Sequence, residues 1–106
     1  MTLAEFQRNV FDVARASPIC GIPIVRRLTA TSINLRVEVT TGGFMDVFYN
    51  EETHTTAFAL ILADRRVFGA DNTGGWHIHP FDDPEQHDLL PGGMSIGEFV
   101  ALIEQR

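Results

Sequence analysis

The chain has 106 residues, 44% of them from the apolar set AVILMFWYC and 21% charged. This fits one globular domain spanning 1–106 and excludes a second independent core, a disordered tail or a coiled-coil rod. The net charge of −6 is uneven: residues 1–70 balance seven Arg against seven carboxylates, whereas 71–106 set Arg106 against Asp71, Asp82, Asp83, Glu85, Asp88, Glu98 and Glu104, which disfavours non-specific coating of nucleic acid. No run reaches the roughly 18 apolar residues of a membrane span, no secretory leader is evident, Lys is absent and Cys20 is the sole cysteine, so a cytoplasmic protein without disulfides or a thiolate zinc site is expected.

Thr2 with Glu5 has capping-box spacing, and Leu3, Phe6, Val10, Val13 and Ala14 follow at helical intervals, predicting a helix over 2–16 that Ser17-Pro18 ends. Residues 17–23 read as loop. The period then becomes two, through Ile24 to Leu28 and on through Ile33, Leu35, Val37 and Val39. Thr41-Gly42-Gly43 is a hairpin signal before Phe44 to Tyr49. Residues 56–63 are apolar on both faces, as suits a central strand covered on both sides, and Val67-Phe68 reads as a short strand. After Asp71 the pattern loosens into a loop of about 25 residues. Ser95 with Glu98 then opens a helix near 96–104. The expected architecture is α+β: a four- to five-stranded antiparallel meander with an N-terminal and a C-terminal helix packed on it, and Phe6, Phe11, Phe44, Phe48, Phe58 and Phe99 in the core.

Chemistry concentrates in the segment from Asp71 to Asp88. His77 and His79 share a face if that piece is extended, about 6.6 Å apart, and Pro80 favours such geometry. With His87 brought back by the Pro84 turn, they supply the three nitrogens of a zinc, manganese or nickel site, with Asp71, Asp82, Asp83 or Asp88 as oxygen ligands. The same imidazoles serve equally as general acid and base on phosphate esters. A plainer reading, solvated histidines in an acidic loop, stays open. Asn72 belongs to a turn or to the site, and Trp76 can wall a pocket. Arg26-Arg27 and Arg65-Arg66 can each offer one guanidinium to the histidine side and form a phosphate patch with Arg36, or they are solvated strand-edge cations. His54 reads as surface and Cys20 as a small buried residue.

The stretch Arg66-Val67-Phe68-Gly69-Ala70-Asp71-Asn72, with His77-x-His79-Pro80, Pro84 and His87, resembles the TumE-type family of toxin–antitoxin toxins over residues 33 to 104. The chain departs from that pattern at Gly74-Gly75-Trp76 and in its acidic Asp82 to Asp88. The resemblance implies a toxin-like, His-dependent or metal-assisted ribonuclease acting on RNA, with an antitoxin partner and no membrane association; a homodimer is also open. Under it His77 and His79 bind metal or transfer protons, His87 completes the site, Asp71 orients a histidine, Asn72 holds the turn, and Arg66 and Trp76 face substrate. His79→Ala is expected to abolish activity while leaving the melting temperature nearly unchanged. Gly75-Trp76-His77-Ile78-His79-Pro80 is also similar to part of the signature of JAMM zinc isopeptidases, with His87 and Leu90 where its Ser and Asp fall. A JAMM-like zinc isopeptidase relative and a non-catalytic interaction or ligand-binding module are the alternative classes.

Overall fold

Both helices start where the capping boxes place them. Helix α1 (Leu3–Ala16) is capped by Thr2, whose Oγ1 accepts from the Glu5 amide while the Glu5 carboxylate accepts from the Thr2 amide. Ser95 and Glu98 repeat this exchange at α2 (Ile96–Glu104). The computed structural model describes residues 1–106, and no helix in it is long and apolar enough to cross a membrane.

Between the helices runs one antiparallel sheet in chain order: β1 (Ile24–Leu28), β2 (Ser32–Glu38), β3 (Phe44–Asn50), β4 (Thr55–Leu62), β5 (Arg65–Asp71), β6 (His77–His79) and β7 (Asp88–Leu89). The α+β class is as expected, but there are seven strands where four or five were predicted. A Thr29–Ser32 turn separates β1 from β2. The stretch after Asp71 read as loop holds β6 and β7, which at three and two residues are too short to show a period. At the β2–β3 turn Gly43 has φ 75°, and a Cβ there would strike the Ile61 carbonyl; only glycine fits.

Strand alternation divides the sheet into a covered and an open face. Ile33, Leu35, Val37, Met45, Val47, Phe58, Leu60, Phe68 and Ala70 are buried in one cluster with Phe6, Val10, Phe99, Val100 and Ile103 of the helices. β4 is therefore covered on one face only: Ala57, Ala59 and Ile61 lie half-buried on the other, against the expectation of burial on both sides. Phe44 and Phe48 also fall on the open face and leave the predicted core, and Phe11 packs only partly against it. Phe68 and Phe81 take up aromatic packing instead, stacked at 4.2 Å. Cys20 is partly buried, and that burial pushes its thiol up despite a Ser17 hydrogen bond, as suits a packing residue.

Candidate functional site

The register of β5 and β6 builds the site. Asp71 pairs with His77 and Gly69 with His79, while Ala70, between them and buried, pairs with Ile78. Ile78 thus points to the helices, and the two histidines and Asp71 share the open face. His79 nonetheless is 2% exposed. The ring packs over Gly69, where a Cβ would crowd the Phe58 carbonyl at 3.1 Å and Arg66 Cδ at 3.2 Å and would lie in ordinary contact with His79 Cδ2 at 3.6 Å. Arg66 Nη2 donates to the Pro84 carbonyl at 3.1 Å and braces the loop that returns His87. The His87 ring centroid lies 4.4 Å from that of His79 and 5.0 Å from that of His77.

Hydrogen-bond partners assign the ring nitrogens. His79 Nε2 is 3.1 Å from Asp71 Oδ2; a carboxylate only accepts, so Nε2 carries the hydrogen and Nδ1 the lone pair. That Nδ1 is buried and has no partner, at a cost of about 1–3 kcal/mol unless a ligand meets it. His77 Nδ1 donates to the Gly75 carbonyl at 3.0 Å, which leaves the Nε2 lone pair 3.3 Å from Asp71 Oδ1. Two acceptors face each other there unless a proton or another cation stands between them. One donor atom from each of His77, His79 and His87 lies within 4.8 Å of the others. A tetrahedral site with metal–nitrogen distances near 2.05 Å needs about 3.4 Å between nitrogens. The exposed His87, in a loop, can supply the closing movement. Asp71, on the far ring nitrogen of His79, is placed as the carboxylate that fixes a ligand's tautomer.

Burial raises the Asp71 carboxyl, but the His79 hydrogen bond, the Thr73 amide and charge at His77 and His79 outweigh it and hold it below its ordinary 3.8. A depressed folded-state value means that the stability from Asp71 is present above the ordinary carboxylate range and is lost as pH falls through the folded value. The melting temperatures of wild type and Asp71→Asn are therefore expected to differ at pH 6 and to converge below about pH 4. A gap of constant size down to pH 3 would refute this.

Of the residues singled out in the sequence, the structure brings His77, His79, His87 and Asp71 together. Two other expected contacts lie elsewhere. Asn72 Oδ1 accepts from the Thr56 amide at 2.8 Å and its Nδ2 donates to the His54 carbonyl at 2.7 Å, so the side chain ties β5 to the exposed β3–β4 turn. Trp76 packs on Phe58 and lines a cavity of about 180 Å³ on the helix side with Phe6, Tyr49 and Met94, away from the histidines. Gly69 and the Gly75 carbonyl were missed; a glycine inside a strand, the mark of a close approach, was the available signal for the first. The chain matches no protein-family model, no curated protein and no solved structure.

Proposed function

We propose that the chain is a metal-dependent hydrolase of phosphodiesters, an RNA-cleaving toxin component acting in the cytoplasm and masked by an antitoxin. The observation that carries the hydrolase reading is the cluster of His77, His79 and His87, one ring nitrogen of each within 4.8 Å of the others, with Asp71 on His79 Nε2 and with His79 Nδ1 buried and unpartnered. RNA as substrate rests on the TumE-type resemblance. A divalent ion bound there supplies Lewis acidity and lowers the pKa of a coordinated water toward 7. His77, His79 and His87 hold it, Gly75 and Asp71 orient the first two rings, and Arg66 keeps the His87 loop in place. The ion's charge also matters to substrate entry, because Asp82, Asp83 and Glu85 are exposed on that loop and repel phosphate when the site is empty.

The test is cleavage of a mixed RNA pool by untagged protein, with and without EDTA. Cleavage abolished by EDTA and restored by zinc or manganese is expected; cleavage that survives EDTA would leave metal-free histidine catalysis, and none in any sample would return the loop to a binding role. A zinc isopeptidase is the second reading, favoured by one contact: Asp71 brings to both His77 and His79 the carboxylate that the linear signature lacks. Ubiquitin-type isopeptide substrates distinguish it. If RNA is the substrate, Asp82→Asn with Asp83→Asn and Glu85→Gln is expected to raise kcat/KM on RNA severalfold at low salt, the gain shrinking toward 0.5 M salt. An unchanged or lower kcat/KM would remove the acidic loop from substrate selection.

A further inference from the structure

The open face continues from the histidines to the far side of the sheet. Asn34 and Arg36 of β2, and Phe44 and Asp46 of β3, alternate with buried Leu35, Val37, Met45 and Val47, so they share the face of His77 and His79. Arg26 of the edge strand joins Arg36, Asn34, Phe44, Asp46 and Asp64 around an open concavity of about 510 Å³. The Arg36 guanidinium carbon lies 3.9 Å from the Phe44 ring centroid.

Strand register connects this concavity to the site. One row runs Arg36, Asp46, Ala59, Gly69, His79, and its neighbour runs Asn34, Phe48, Ala57, Asp71, His77. Four strand spacings separate Arg36 from His79, roughly 19 Å. Between the ends stand the low Ala57, Ala59 and Gly69, the ring of Phe48, and two carboxylates, Asp46, held by Asn34 Nδ2 at 2.8 Å, and Asp71 at the histidines.

Resting on the hydrolase reading, we propose that Arg26 and Arg36 form a second, phosphate-anchoring subsite for single-stranded RNA whose scissile bond lies at the histidine cluster. Guanidinium groups present planar paired donors to phosphate, and a guanidinium laid on an aromatic ring offers a plate for a base. Phe48 offers a second stacking surface along the path. The carboxylates of Asp46 and Asp64 leave the concavity near neutral. Recognition there rests on directed hydrogen bonds and stacking, and the two arginines, on β1 and β2 at the opposite end of the sheet from β6 and β7, fix which end of the face a polyanion engages. The span calls for a substrate of at least about four nucleotides, the low end of single-strand site sizes.

The test is fluorescence anisotropy of a 5′-labelled ten-nucleotide uridine RNA, titrated with protein in EDTA at several salt concentrations. Arg26→Ala with Arg36→Ala is expected to weaken binding about tenfold or more and to flatten the dependence of log K on log salt by about 1.4, two phosphates at about 0.7 each. Arg26→Ala alone, on an exposed edge strand where folding is not at risk, is expected to remove half of that slope. Arg8→Ala on α1, on the opposite side of the sheet, is expected to change neither. No RNA binding by wild type, or an unchanged slope in the double variant, overturns the subsite. Because anisotropy is read in EDTA, the hydrolase reading fails separately, by absence of metal-dependent hydrolysis of bis(p-nitrophenyl) phosphate.

Discussion

Replacing His87 with alanine is expected to lower metal-dependent hydrolysis by more than about a hundredfold, because loss of a carboxylate behind a ligand alone costs 10- to 100-fold. The melting temperature is expected to stay within about 3 °C of wild type, since exposed substitutions seldom move stability by more than about 0.5 kcal/mol. His87 is the informative histidine because it is exposed and sits in a loop. His79 is not: at 2% exposure its imidazole fills space over Gly69 and holds Asp71. His79→Ala therefore removes packing and strands a carboxylate, and the sequence-based expectation of an unchanged melting temperature does not suit a buried ring. Full activity in His87→Ala, with the fold intact, would remove the third nitrogen from the site.

Phe99→Ala is expected to destabilise the protein by about 3–5 kcal/mol, a large share of the 5–15 kcal/mol typical of a domain. Phe99 is fully buried, stacked on Phe68 at 4.9 Å and tilted against Phe58 at 5.4 Å, so it joins α2 to β4 and β5. Phe48→Ala, on the open face, is expected to cost less than half as much. Urea unfolding followed by circular dichroism reads both. Similar midpoint shifts for the two variants would contradict the division of the sheet into a covered and an open face.

That division marks the limit of what the sequence made legible. Both helices were readable because Thr2/Glu5 and Ser95/Glu98 set their starts and a 3.6-residue period followed. β2 and β3 were readable from alternation. The all-apolar run at β4 misled, because Ala57, Ala59 and Ile61 look like core residues whichever way they point. β6 and β7 are specified by pairing with distant partners, which no local period records. The histidines were conspicuous as a cluster, and His-x-His spacing placed two on one face. That Asp71 would be the carboxylate they share followed from the β5–β6 register, which also sets His79 against Gly69. Trp76 is separated from the site by that same alternation: it adjoins His77 in sequence and faces the other side of the sheet.

The central claim is that His77, His79 and His87 form one divalent-metal site oriented by Asp71. Its most direct test is calorimetric titration of zinc into untagged, EDTA-stripped protein at pH 7. One ion per chain with micromolar or tighter affinity is expected, weakened by 10- to 100-fold in Asp71→Asn and lost in His87→Ala. No saturable binding by wild type, or binding equally strong in His87→Ala, would contradict it.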